Sequence, residues 1–102
     1  MKIKTAELTG TALDWAVAKC EGYRLDLAPE GSYTPSTDWA QSGPIIEREG
    51  LEIAPSEGTT WRAMTGGSEG AIKFGPTPLI AAMRCFCASK LGDEVEIPKE
   101  LT

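Results

Sequence analysis

A nearly uncharged segment towards the end of the chain, residues 78–91, constrains the fold more than any other feature of the sequence. Its polar residues are only Arg84, Ser89 and Lys90. One broad helical face carries large apolar residues and a second carries small ones, namely Leu79, Ile80, Met83, Phe86 and Cys87 against Ala81, Ala82, Cys85 and Ala88. A helix that is apolar on nearly every side is normally buried on more than one side. The pattern therefore predicts a helix over 78–91 that is either central in a small domain or part of a subunit interface.

A second helix is predicted over residues 11–21, where apolar residues recur at helical spacing along one stripe. The stripe consists of Leu13, Ala16, Val17 and Cys20. Thr11 and Asp14 resemble a capping box at the start of this helix, and Gly22 is a typical residue at a helix end.

The remaining segments alternate apolar and polar residues or are rich in turn formers. Alternation is typical of half-buried strands, and it occurs over residues 23–27, 51–53, 61–65 and 71–74. A short helix is predicted over 43–50, with Pro44 in its first turn. A long loop (about 28–43) and an acidic tail (about 93–102) complete the chain. The order predicts a single α+β domain over residues 1–102, with a small antiparallel sheet of about four strands packed with two main helices.

The charge composition excludes several classes of function. The chain has 10 Lys and Arg residues against 15 Asp and Glu, a net charge of −5, and its cations are scattered. This argues against direct nucleic-acid binding, which needs clustered cations to neutralise phosphates. Histidine is absent, which removes His-based catalytic triads and His-ligated metals. The composition therefore favours a binding protein without a cofactor over an enzyme.

No apolar stretch approaches the ~20 residues of a membrane span, and the start of the chain has no apolar signal core. Cys20, Cys85 and Cys87 are therefore expected to be reduced thiols of a cytoplasmic protein. Cys85 and Cys87 point about 200° apart on a helix, and no histidine completes a ligand set. No metal site is predicted.

Five segments are distinctive as sequences: Leu13-Asp14-Trp15-Ala16-Val17-Ala18-Lys19, Ser36-Thr37-Asp38-Trp39-Ala40-Gln41, Gly43-Pro44-Ile45-Ile46-Glu47, Gly75-Pro76-Thr77-Pro78-Leu79-Ile80-Ala81-Ala82-Met83-Arg84 and Gly92-Asp93-Glu94-Val95-Glu96-Ile97-Pro98. They resemble the NinX-like proteins of tailed phages and prophages. The resemblance covers nearly the whole chain, with least agreement over about 55–73. It implies a phage accessory protein in the cytoplasm of the infected bacterial host. The family is one of unknown function, so the resemblance carries over no activity and no catalytic residue.

A candidate ligand site lies in the long loop and the short helix that follows it. Tyr33, Asp38, Trp39 and Arg48 would bring aromatic faces, a carboxylate and a guanidinium into one region. Aromatic rings stack on planar ligands, and arginine binds phosphate in a bidentate manner. The residues predict a pocket for a small anionic or nucleotide-like ligand. The alternative is that Trp39 plugs the core while Arg48 pairs with a neighbouring glutamate at the surface.

Two residues near the helix over 78–91 extend this site hypothesis. Thr77 precedes the helix, where free amides and a hydroxyl can bind an anion, or where Thr77 serves as an ordinary N-cap. Arg84 is the lone charge in the middle of the helix, so it either needs an anionic partner or lies on an exposed edge.

Two classes of function therefore remain in view. The first is a non-enzymatic protein that sequesters a small anionic or nucleotide-like ligand, with a role in evading host defence. The alternative is an acidic protein–protein adaptor or inhibitor that engages a host or phage protein. In either case the apolar helix over 78–91 predicts a homo-oligomer.

Overall fold

The computed structural model describes residues 1–23, 33–66 and 70–101. In chain order these form β1 (Lys2–Lys4), a 3-10 turn (Thr5–Glu7), α1 (Gly10–Glu21), α2 (Trp39–Glu49), β2 (Glu52–Pro55), β3 (Trp61–Met64), β4 (Ile72–Gly75), α3 (Pro78–Leu91), β5 (Glu94–Glu96) and a second 3-10 turn (Lys99–Leu101). The α+β class predicted from the sequence is confirmed.

The described strands form two antiparallel sheets rather than one sheet of about four strands. The larger has the order β2-β3-β4, and β1 pairs with β5 in the smaller. Lys2 lies opposite Glu96 and Lys4 opposite Glu94, while Ile3 lies opposite Val95. Opposite charges at facing positions stabilise a strand pair, so the tail predicted as acidic joins the two ends of the chain through β5.

The helix α3 lies at the centre of the molecule and has the bounds that the sequence predicts. It packs against all three strands of the larger sheet and against α1, α2, β5 and the first 3-10 turn. Phe86, Met83 and Cys87 have no exposed surface. The chain itself therefore covers its most apolar helix, which is the first of the two alternatives. Self-association through residues 78–91 stays a prediction that a single chain does not test.

The helix α2 starts earlier than the short helix that the sequence predicts over 43–50. It begins at Trp39, with Asp38 as its N-cap, and Pro44 lies inside it rather than in its first turn. Ser42 Oγ donates a hydrogen bond to the Asp38 carbonyl at 3.1 Å. The predicted loop over 28–43 is thus too long at its C-terminal end, since its last residues are helical. The strand predicted over 23–27 lies outside the described residues except for Tyr23, which is in no strand.

The start of α1 also differs from the prediction. Its N-cap is Thr9, with no side-chain capping bond, so the capping box of Thr11 and Asp14 is wrong. Asp14 is buried and its Oδ1 accepts a hydrogen bond from the Ser36 N–H at 2.9 Å. The helix ends at Gly22, whose φ of 77° is the left-handed conformation that favours glycine. Asp14 therefore fixes the segment before α2 instead of capping its own helix.

The pH dependence of stability should reflect the environment of Asp14. Burial raises the pKa of this carboxyl, and the hydrogen bonds from Ser36 oppose the shift. A carboxyl with a raised pKa binds its proton more tightly in the folded state than in the unfolded state. Its contribution to the free energy of unfolding is therefore largest in acid and is lost as the pH rises through that pKa. We expect the free energy of unfolding of the wild type, relative to D14N, to fall as the pH rises from 3.8 towards neutral. Urea denaturation of both proteins across this range measures the difference, and a difference that rises with pH would contradict the assignment.

Candidate functional site

The structure separates the aromatic and charged residues of the predicted loop site. Trp39 begins α2 and is 58% exposed, so it does not plug the core. Asp38 caps the same helix, since its Oδ1 accepts a hydrogen bond from the Ala40 N–H at 2.9 Å. Arg48 lies about two and a half helical turns beyond Trp39, on the opposite face. Trp39 and Arg48 therefore do not share a pocket.

Arg48 instead belongs to an ion-pair network that joins the three helices. Its Nη1 lies 3.1 Å from Glu21 of α1, and its Nε lies 2.8 Å from Glu49. Lys90 of α3 lies 3.1 Å from Glu49. The bonds to Glu21 and Glu49 raise the pKa of Arg48, and the bond from Arg48 lowers the pKa of Glu49. The surface pairing left open by the sequence is confirmed, and this guanidinium is already neutralised by carboxylates.

Tyr33 and Thr77 also have partners within the fold. The ring of Tyr33 packs edge-on against Tyr23 with centroids 5.1 Å apart, and burial raises its pKa. Thr77 Oγ1 accepts a hydrogen bond from the Ile80 N–H at 3.1 Å, which makes it the N-cap of α3. The capping alternative for Thr77 is therefore confirmed.

Arg84 has a different environment from Arg48. It is half-buried, and its Nε donates a hydrogen bond to the Leu8 carbonyl at 2.7 Å while its Nη1 donates to the Phe74 carbonyl at 2.8 Å. Within the described part of the chain, no carboxylate lies within ion-pair distance of it and its Nη2 has no hydrogen-bond partner. Burial lowers the pKa of this guanidinium, and the more distant Glu7 opposes the shift. Two backbone carbonyls therefore hold a cation that no described anion neutralises.

Arg84 lies in an open cleft of about 610 Å³. Such a volume is within the range of about 300–1,000 Å³ that is typical of ligand sites. The cleft runs along β4 and is lined by Ala6, Thr59, Thr60, Ile72, Lys73, Phe74, Gly75, Pro76 and Arg84. Lys73 adds a second cation, whose Nζ is 4.0 Å from Asp93. The cleft thus combines two cations, two threonines and the ring of Phe74, which is 48% exposed.

A third cationic group lies on the sheet beside the cleft. Arg62 of β3 is the cross-strand partner of Phe74. Its Nε is buried and, among the described residues, has no hydrogen-bond partner. The β3–β4 pair therefore contains a buried donor without a described acceptor at the position opposite Phe74.

Sequence reasoning identified Arg84 but not the residues that surround it. Lys73 and Phe74 were predicted only as part of a strand, and Thr59 and Thr60 were not predicted as site residues. One signal was present, because Ile72 and Phe74 occupy alternate positions and leave two large apolar side chains on one face of a strand. Whether other segments cover this face depends on which strands this one pairs with. The local sequence pattern does not show that pairing.

The cysteines show a contact that the sequence did not indicate. The thiols of Cys20 on α1 and Cys87 on α3 interact, which lowers the pKa of Cys20 and raises the pKa of Cys87. All three cysteines are free. No group of metal-ligating side chains occurs among the described residues.

The fold and the cleft together define a small α+β protein with a cationic cleft along one edge strand. The chain belongs to the family described as Bacteriophage P22, NinX, whose model matches residues 4–90. A comparison with the curated proteins finds no match. In the described ranges, every helix is too short or too polar to cross a bilayer.

Proposed function

We propose that this phage accessory protein is a non-enzymatic binding protein that takes a small anionic or nucleotide-like ligand in the cleft at Arg84. The observation that carries the proposal is the guanidinium of Arg84, oriented by two carbonyls and without a carboxylate partner in the described chain. A half-buried cation of this kind gains free energy when an anion neutralises it. The proposed ligand site is therefore at the edge of β4 and not in the loop around Trp39.

The other lining residues indicate which ligands fit. Lys73 supplies a second charge, and its contact with Asp93 is long, with the Asp93 side chain 96% exposed. The exposed ring of Phe74 offers a face on which a planar base can stack. An anion attached to an aromatic ring system, as in a nucleotide, uses all three features.

The biological role follows as part of the same proposal. A phage protein in the cytoplasm of its bacterial host that binds a nucleotide without transforming it would lower the free concentration of that nucleotide. Sequestration of a nucleotide signal in this way would blunt a host defence that depends on it. Family membership supports the phage origin, and the lack of histidine supports binding over acid–base catalysis.

Thermal melting across a panel of mono-, di- and cyclic nucleotides tests the proposal. A ligand at about 100 times its Kd adds about 2.7 kcal/mol, so the matching nucleotide should raise the Tm of the wild type by several degrees. The shift should vanish in R84Q and shrink in K73A, each compared with its own ligand-free Tm. R48A and W39A are the matched controls and should keep the full shift. A panel that leaves the wild-type Tm unchanged would contradict the proposal.

A second candidate function rests on the exposed aromatic residues outside the cleft. Trp39 is 58% exposed and Tyr23 is 54% exposed. Exposed Trp and Tyr are enriched among the residues that dominate protein–protein affinity. An acidic adaptor or inhibitor would use these exposed aromatic residues together with its negative charge. This second function predicts that the wild-type protein captures a host or phage partner at low salt. W39A should lose this partner, and R84Q should capture it as the wild type does.

A further inference from the structure

The cleft follows the outer edge of β4, where the strand has unpaired backbone groups. Thr65 N–H donates to the Ala71 carbonyl at 3.0 Å, so these two residues form a hydrogen-bonded pair next to the β3–β4 ladder. Along an antiparallel ladder, residues whose N–H and C=O groups bond to the partner strand alternate with residues whose groups point away from it. The N–H and C=O groups of Ile72 and Phe74 therefore point away from β3, into the cleft. No strand of the described chain pairs with this edge.

At one backbone position of this edge, the Arg84 side chain takes the place of a neighbouring strand. Its Nη1 donates to the Phe74 carbonyl at 2.8 Å, which is where the N–H of an added strand would otherwise bind. Among the described residues, the Phe74 N–H and both backbone groups of Ile72 have no hydrogen-bond partner, so they are available to a ligand. Arg84 Nη2 lies on the same guanidinium, next to the place where an added strand would have to end.

We propose that the cleft takes the carboxyl end of an extended peptide, which adds to β4 as a parallel strand. The inference rests on the proposed function, since the terminal carboxylate is the anion that Arg84 binds. The Ile72 carbonyl accepts the N–H of the last peptide residue. The Phe74 N–H donates to one oxygen of the carboxylate, and Arg84 Nη2 donates to the other. Strand addition and terminal carboxylate capture are both established modes of peptide recognition.

The direction of the peptide follows from the position of Arg84. In a parallel arrangement the peptide runs from the Ile72 end towards the Phe74 end, so its carboxylate arrives at the guanidinium. An antiparallel peptide would place its carboxylate at the Ile72 end, away from Arg84. It would also need the Phe74 carbonyl that Arg84 already uses. Ile72 and Phe74 are 50% and 48% exposed and offer apolar contacts to alternate peptide side chains.

A heteronuclear NMR titration with two peptide pools tests the inference. Both pools contain hexapeptides randomised at every position, one with free carboxylates and one with carboxamide ends. The free-acid pool should shift the amide signals of Ile72 and Phe74 and the Nε–H signal of Arg84. The amide pool should need at least tenfold more peptide for the same shifts. The variant I72P removes an N–H that points away from β3, which an edge strand tolerates, and it should weaken binding at least fivefold relative to I72V.

The possible outcomes separate this inference from the proposed function. Equal binding of the two pools, or unchanged binding in a folded I72P, would overturn carboxylate capture on β4. If I72P does not fold, the comparison of the two pools on the wild type decides. A nucleotide that shifts the Arg84 signal while the free-acid pool does not would overturn the peptide inference and leave the proposed function standing. If neither the nucleotide nor the free-acid pool shifts the Arg84 signal, both the peptide inference and the proposed function would be overturned.

Discussion

Substitution of Gly75 by valine is expected to lower the free energy of unfolding by about 3 kcal/mol or more. A β-carbon at this position would lie 2.8 Å from the Ala81 nitrogen and 3.0 Å from Ile80 Cγ2. The first of these atoms belongs to the backbone of α3 and cannot turn aside. The close approach of β4 to α3 therefore requires glycine, and it also holds the cleft in place next to Arg84.

Urea denaturation of G75V measures this effect, and Gly43 supplies the matched control. Gly43 lies inside α2, and apart from its chain neighbours no atom lies within 4 Å of a β-carbon built on it. Alanine is a better helix former than glycine, whereas Pro44 opposes a β-carbon on the helical residue before it, so G43A should change the free energy of unfolding by less than about 1 kcal/mol. A G75V protein as stable as the wild type would show that β4 and α3 are farther apart than described.

The second large effect is expected at Phe86, the largest fully buried side chain of the core. Its ring packs at the centre of α3, with the guanidinium of Arg48 5.8 Å from the ring centroid. Phe86→Ala should cost about 3–5 kcal/mol, because it removes buried apolar surface and leaves a cavity.

Phe74 is the matched control for Phe86, since it is the same residue type at 48% exposure. F74A should cost under about 1 kcal/mol, as is usual for surface positions. The same variant should weaken the binding of a nucleotide that stacks on Phe74. F74A is therefore expected to keep nearly the stability of the wild type and to show a smaller rise in Tm with the nucleotide. Equal destabilisation by F86A and F74A in chemical denaturation would contradict the assignment of α3 as the central helix.

Much of the secondary structure follows from local sequence signals. The helix over 78–91 has its predicted bounds because Thr77, Pro78 and Gly92 are strong start and stop residues acting on a continuous apolar segment. The strands β2, β3 and β4 lie within two residues of the alternating segments. In each case the signal comes from residues close together in the chain.

Two of the three errors have a different origin, because they depend on contacts between distant segments, and the third concerns a local helix cap. The pairing of β1 with β5 joins opposite ends of the chain, and each strand is too short to show a period. The predicted start of α2 is too late because proline is common in the first turn of a helix, whereas here Asp38 supplies the cap and Pro44 lies further inside. The local pattern predicts a capping role for Asp14 because Ser36, its actual partner, is distant in sequence.

The candidate site shows the same limit. Sequence reasoning grouped Tyr33, Asp38, Trp39 and Arg48 because they are close along the chain, yet the helix turns Trp39 and Arg48 to opposite faces. Arg84 was correctly singled out as an unusual charge. Its partners, the carbonyls of Leu8 and Phe74, are backbone groups that no side-chain pattern reveals.

The proposed function requires that Arg84, and not Arg48, is the cation that binds an anion. Titration of the wild-type protein with a nucleoside diphosphate, followed by heteronuclear NMR of the arginine Nε–H signals, distinguishes the two arginines. We predict a saturable shift of the Arg84 signal together with the amides of Lys73 and Phe74, while the Arg48 signal stays in place. A saturable shift at Arg48 and Trp39, with Arg84 unmoved, would contradict the account and return the site to α2.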